Sequence, residues 1–136
     1  PFHARYAYRY NYPLDAERMH EGAQRFVGTH DFASVRSQGT PVKSTVRTIF
    51  WCDVDKIDDL IRIRVCGDGF LYNMVRAIAG TLVYVGGGKL RPDDVADVLA
   101  SCDREQAGPT LPACGLFMNR LWYEHTSELD RFRLGD

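Results

Sequence analysis

Hydrophobic and polar positions alternate in two ways along the chain, and the alternation divides it into elements. From Arg5 to Tyr12 the tyrosines Tyr6, Tyr8, Tyr10 and Tyr12 fall on one side, with Arg5, Ala7, Arg9 and Asn11 on the other, which predicts a strand. Asp15 can cap a helix whose apolar positions Ala16, Met19, Ala23, Phe26 and Val27 follow the helical period, with Gly28 placed to end it. Thr29 to Ser44 contains Gly39 and Pro41 and reads as an irregular loop. Val46–Val54 and Leu60–Cys66 are rich in β-branched residues, and the short polar link between them predicts a hairpin. A long apolar helix is expected from about Phe70 to Val85, stopped by Gly86, Gly87 and Gly88. Pro92 suits the first turn of another helix ending near Ser101, a strand is expected from Leu116 to Tyr123, and a polar tail follows. This order predicts an α+β fold with a largely antiparallel sheet and helices packed on one face.

Composition adds limits. The chain has 136 residues, 45% hydrophobic and 26% charged, which suits one globular domain. Its longest uncharged run, Ala77 to Gly88, is far below the ~20 residues of a membrane span, so a soluble, cytoplasmic protein is expected. A first residue of proline rather than methionine suggests a chain cut from something longer. Cys52, Cys66, Cys102 and Cys114 form no C-x-x-C pair and the four histidines no ligand spacing, so no metal is expected. The net charge of −1 argues against binding nucleic acid by bulk basicity. However, no acid occurs between Phe32 and Cys52, where Arg36, Lys43 and Arg47 could face phosphates or lie on a solvated loop.

One charge stands out. Arg76 is the only charged residue from Gly69 through Gly88, on a helix whose apolar face holds Phe70, Leu71, Met74, Val75, Ile78, Ala79, Leu82 and Val83. The narrower face, with Asn73, Arg76, Ala77, Gly80 and Tyr84, is small or polar enough to admit a close neighbour. A guanidinium there cannot shed its proton, so an anion should lie within reach. A carboxylate or a phosphate would serve; so would an internal pair with Asp68, Asp103 or another acid, or a side chain that snorkels to water. The glycines before Lys89 do not form a phosphate loop, because Val83 and Leu90 occupy the positions of its first glycine and its hydroxyl. No serine sits in a nucleophile elbow, adjacent His30 and Asp31 read as a capped turn, and Asp68 between two glycines as a turn residue.

The run Gly69-Phe70-Leu71-Tyr72-Asn73-Met74-Val75-Arg76-Ala77-Ile78-Ala79-Gly80-Thr81-Leu82, with Val85-Gly86 and Gly88-Lys89, resembles the C-terminal half of tRNA pseudouridine synthases of the TruA type. The resemblance continues in Asp103-Arg104, Ala107-Gly108-Pro109-Thr110, Pro112-Ala113 and Gly115-Leu116. Upstream it includes Phe2-His3-Ala4-Arg5, Leu14-Asp15-Ala16-Glu17-Arg18-Met19, Gly28-Thr29-His30-Asp31-Phe32 and Val46-Arg47-Thr48-Ile49.

The resemblance implies isomerisation of uridine to pseudouridine in the tRNA anticodon stem-loop, without metal or organic cofactor, by a protein that is a homodimer. Residues 1–136 would be the C-terminal domain, with residues 1–12 a candidate end of the preceding one. It further implies that Arg76 pairs with a catalytic aspartate, that Leu116, Phe70 and Met74 line the pocket, and that Tyr8 packs on the target base. Arg36, Lys43 and Arg47 would meet phosphates, with His30 and Asp31 beside the RNA path, in an enzyme that reads shape and extrudes its base. The family's aspartate lies in a G-R-T-D segment of the N-terminal half, which this chain lacks, so the chain alone is expected to be inactive. The family's longer connection after F-H-A-R is compressed here into Tyr6 to Pro13. The rival reading is a stand-alone RNA-binding or dimerisation module; a third is a purely structural domain with Arg76 paired internally.

Overall fold

The structure, a computed structural model, describes residues 1–9, 13–37, 42–71 and 73–120. Five strands form one sheet in the order β2-β3-β4-β1-β5, and every neighbouring pair is antiparallel. They are β1 (Phe2–Arg9), β2 (Gly28–Asp31), β3 (Val46–Ile57), β4 (Leu60–Gly67) and β5 (Leu116–Arg120). Among the described residues there are three α-helices, α1 (Ala16–Ala23), α2 (Met74–Gly86) and α3 (Asp94–Ser101), besides short one-turn helices. The α+β class and antiparallel sheet are as the sequence predicts. No helix among the described residues is long and apolar enough to cross a membrane.

Alternation along the strands decides which face meets the helices. Ala4 and Tyr6 of β1, Ile49, Cys52 and Val54 of β3, and Ile61, Ile63 and Val65 of β4 are buried in the core with Met19 of α1 and Ile78 and Leu82 of α2. Each fully buried aliphatic side chain contributes ~1.5–3 kcal/mol. Ile49 and Cys52, three residues apart, both point inward because the ladder skips Phe50: Ile49 pairs with Gly67 and Trp51 with Cys66. This bulge turns Phe50 outward, where it is 52% exposed. On the opposite face, charges pair across strands: Arg62 binds Asp55 through two nitrogens at 2.6 and 3.0 Å, and Arg64 reaches Asp53 at 3.0 Å.

Several elements differ from expectation: α1 ends at Ala23, and Gly28, expected to end it, opens β2 instead. The first strand starts at Phe2 and is an interior strand of the sheet, between β4 and β5, while Tyr10 and Tyr12 lie outside the described residues. The expected loop from Thr29 contains β2, which Gly-Thr-His-Asp does not announce; its ladder to β3 and a 2.8 Å Thr29–Thr48 hydroxyl contact hold it. The long helix begins at Met74, not Phe70. Asn73 sits in the left-handed region (φ 57°), which the helical path cannot pass through, and Asp68 is tied to β3 by bonds with the Thr48 amide and carbonyl, each 3.0 Å. At its far end the glycine stop holds: Gly87 caps α2 and Gly88 has φ +87°. The end of the expected last strand, Leu121 to Tyr123, and the polar tail lie outside the described residues.

Every residue of α2 except Arg76 and Tyr84 is buried, so its narrow face is covered as well. The cover is the segment Ala107–Pro112. A Cβ on Gly80 would lie 1.7 Å from the Pro109 oxygen, and one on Gly108 would lie 2.4 Å from the Gly80 oxygen, so the backbones touch only because both residues lack side chains. Thr81 Oγ1 fastens the crossing, accepting from the Gly108 amide at 2.9 Å and donating to the Ala77 carbonyl at 2.8 Å.

Two stability predictions follow from this packing. Gly80→Ala has no relaxed solution against a backbone oxygen, so urea unfolding should show a loss of roughly 1–3 kcal/mol or more; an unchanged midpoint would contradict the close crossing. His3 is fully buried, edge-on to Trp51 at 5.3 Å, and burial lowers its pKa from 6.5 to about 4. Between about pH 4 and 6.5 the unfolded chain binds up to one more proton at this site than the native one. Stability should therefore be fully present above pH 6.5 and fall as pH drops toward 4, with a shallower fall in His3→Gln. Equal pH dependence in the two proteins would refute this.

Candidate active site around Arg76

Arg76 lies in the first turn of α2, half-buried, and its position is set from two sides. Its Nε donates to the Leu111 carbonyl at 2.6 Å, and the Leu111 amide donates back to the Arg76 carbonyl at 3.3 Å. Its Nη1 donates to Asn73 Oδ1 at 2.8 Å. Leu111 can be there because the Gly80–Gly108 crossing presses its segment against the helix. Both acceptors are neutral, and among the described residues no carboxylate pairs with the guanidinium. The internal partners anticipated from sequence are engaged elsewhere: Asp68 accepts from the Thr48 amide at 3.0 Å, and Asp103 from the Glu105 amide at 3.0 Å.

The guanidinium borders a cleft of about 280 Å³ whose other walls include Phe70, Leu71, Met74, Leu116 and Met118. An apolar recess with one cation at its edge suits a flat, mostly apolar group that carries or meets negative charge. Phe70 approaches from the segment before α2, packing edge-on to Phe2 at 6.5 Å, and Leu116 enters from the start of β5. Behind it lies Tyr6, opposite Leu116 in the β1–β5 ladder and 2% exposed, with its hydroxyl donating to the Pro112 carbonyl. Burial first, then the negative charge of an ionised Cys114, hold the Tyr6 phenol above its ordinary range, and the Arg76 charge opposes them.

Phe70, Met74, Arg76 and Leu116, named from sequence, therefore meet around one cleft. Tyr8 does not line it: the residue pairs with Ile61 and its half-buried ring packs on the core. Arg36 and Lys43 line a separate, wider cleft of about 1130 Å³ together with Asp31, Asp103, Arg104 and Glu105. Arg104 is spent on the Gly108 carbonyl at 2.6 Å and Thr110 Oγ1 at 2.9 Å. Arg47 folds back on the Ser44 and Val46 carbonyls at 2.9 and 2.7 Å. His30 donates from Nε2 to the Val27 carbonyl at 2.9 Å and stands edge-on to Phe32. Asp31 accepts from Thr45 Oγ1 at 2.5 Å and the Ala33 amide at 3.0 Å; the Thr45 bond chiefly holds its carboxyl below the ordinary range. The capped turn expected for this pair is instead the end of β2, where His30 is opposite Arg47 and Asp31 opposite Val46, and both side chains make structural bonds there.

Sequence reasoning missed two of the parts that hold Arg76. The Leu111 carbonyl carries no residue signature, since any side chain there offers the same oxygen. Asn73 was visible as a polar position, but its left-handed backbone and its bond to the guanidinium were not.

Comparison with known proteins adds an independent line. A family model described as tRNA pseudouridine synthase matches residues 23–124, which contain Arg76 and Leu116. The tRNA pseudouridine synthase A of Brevibacillus brevis is 48% identical over 122 residues, covering 90% of this chain and 50% of the relative. Those of Bacillus velezensis and Bacillus subtilis are 46% and 44% identical over 124 residues, covering 91% of this chain and 50% of each relative. The chain thus spans about half the length of the curated relatives it matches. With the match running through the helix, the glycine crossing and the strand that together frame the cleft, the chain belongs to the tRNA pseudouridine synthase family.

Proposed function

We propose that the chain is the C-terminal domain of a tRNA pseudouridine synthase that isomerises uridine in the anticodon stem-loop, working with a catalytic half that precedes it. One observation carries the reading: a half-buried guanidinium at the edge of an apolar cleft, fixed by neutral oxygens and lacking a carboxylate partner among the described residues. Leaving such a charge uncompensated is unfavourable, and a carboxylate arriving from the preceding half would relieve it. That carboxylate is the aspartate that attacks the target nucleotide. The glycosidic C–N bond breaks, the uracil turns, and a C–C bond to the same sugar carbon forms. The ring carbon loses its proton and the released nitrogen gains one, so nothing is added or removed overall.

In this reading Arg76 orients the aspartate and offsets its charge, while Phe70, Met74 and Leu116 wall the extruded base from water. Tyr8, assigned to pack on that base, would have to leave the core or act from its edge. Arg36, Lys43 and Arg47 contact tRNA phosphates, and His30 and Asp31 shape the turn beside them. The enzyme works as a homodimer in the cytoplasm, where its tRNA substrate is found, and needs no organic cofactor or metal.

In the intact protein, Arg76→Ala should lower single-turnover pseudouridine formation by roughly 100-fold or more while leaving folding intact; unaltered turnover would remove Arg76 from the reaction. Replacing Arg36, Lys43 and Arg47 with glutamine should weaken tRNA binding. It should also flatten the dependence of log K on log salt by ~0.7–0.9 for each phosphate that the protein no longer neutralises. An unchanged slope would return these three residues to the solvated surface.

A further inference from the structure

A short chain of side-chain hydrogen bonds runs from Arg76 to Ser37, whose neighbour in sequence, Arg36, lines the wide cleft. Asn73 Oδ1 accepts from Arg76 Nη1 at 2.8 Å, and at its other end the same amide donates from Nδ2 to Ser37 Oγ at 3.1 Å. The orientation of the amide is dictated by its neighbours. A guanidinium can only donate, so the oxygen must face Arg76, and the nitrogen then needs an acceptor, which the serine hydroxyl supplies. The backbone prepares the arrangement. Asn73 at φ 57° stands where the chain turns into α2, a conformation asparagine tolerates better than most residues, and this brings its side chain back over the first helical turn.

Ser37 is not an isolated partner. It follows a one-turn helix, Ala33–Val35, whose Ser34 and Val35 are buried against the core, so its position is set by packing. Its neighbour in sequence, Arg36, lines the wide cleft with Lys43. A contact made at Arg36 is therefore one peptide link and two hydrogen bonds away from the guanidinium of Arg76.

We propose that Asn73 is a positioning residue for Arg76, and that Ser37 links its amide to the RNA-facing segment, so that tRNA held at Arg36 favours the working orientation of the guanidinium. The inference rests on the reading of Arg76 given above. Without the Asn73 bond, Arg76 would keep only its Nε contact to Leu111 and could swing about that anchor. Its charge would remain in the cleft, but not at a fixed distance from the incoming carboxylate. The consequence falls on the chemical step rather than on binding.

The test compares four forms of the intact synthase: parent, Asn73→Gly, Ser37→Ala and Arg76→Ala. Glycine accepts a positive φ without strain, so Asn73→Gly keeps the helix start and removes only the amide. The maximal single-turnover rate of Asn73→Gly should fall about tenfold to hundredfold, with the half-saturating tRNA concentration within about threefold of the parent. Its thermal midpoint should stay close to the parent's. Ser37→Ala should show the same pattern with a smaller loss, about threefold to tenfold. If Arg76→Ala is inactive while Asn73→Gly and Ser37→Ala both turn over at the parent rate, the linkage is wrong and the role of Arg76 stands. A change confined to tRNA affinity would also overturn it. If Arg76→Ala itself turns over normally, the underlying reading fails, and positioning that residue has no purpose.

Discussion

A cation anchored by uncharged groups is the constraint on which this structure depends. Arg76 has a carbonyl and an amide for company, and both hold it in place without cancelling its charge. Hydrogen bonds to a charged group are worth ~1.5–3 kcal/mol each, enough to fix a direction. They do not replace the counter-charge that a half-buried guanidinium would gain from a carboxylate. The rest of the domain can be understood as scaffolding for that arrangement. The sheet provides a floor, α2 fixes the Cα of Arg76, and Ala107–Pro112 brings up the carbonyl that takes its Nε.

The scaffold works because small residues occur where the helix and the covering segment cross. Gly80 and Gly108 allow backbone to meet backbone, and Thr81 closes the contact with two bonds. Two turns of bulky residues at that crossing would lift the segment and carry the Leu111 oxygen away from the guanidinium. Fold stability and site geometry are therefore controlled at one place. Tyr6 adds a second fastening from below, tying β1 to Pro112, one residue beyond Leu111.

Much of this was legible in the sequence, for identifiable reasons. Strand β4 has the alternation of a half-buried sheet and β3 is rich in β-branched and aromatic residues, and the helices α1 and α3 have an aspartate near the start and an apolar stripe. The isolation of Arg76 among apolar residues marks it in the sequence itself. The cleft residues Phe70, Met74 and Leu116 came from family resemblance rather than from periodicity. Periodicity put Phe70 on the helix, whereas Asn73 starts α2 later, and that backbone turn depends on contacts with β3 and Ser37 that no local pattern records. Four residues of β2 went unread because Gly-Thr-His-Asp has no apolar alternation; pairing with β3, not propensity, makes it a strand. The Leu111 carbonyl was invisible because backbone oxygens are the same at every residue.

The most direct measurement is an experimental structure of the intact synthase, read for the surroundings of the Arg76 guanidinium. The account predicts a carboxylate oxygen from the preceding half within hydrogen-bonding distance of this group, with the bonds from Nε to Leu111 and from Nη1 to Asn73 retained. A guanidinium turned into bulk solvent, or paired with Asp68 or Asp103 of its own domain, would contradict it.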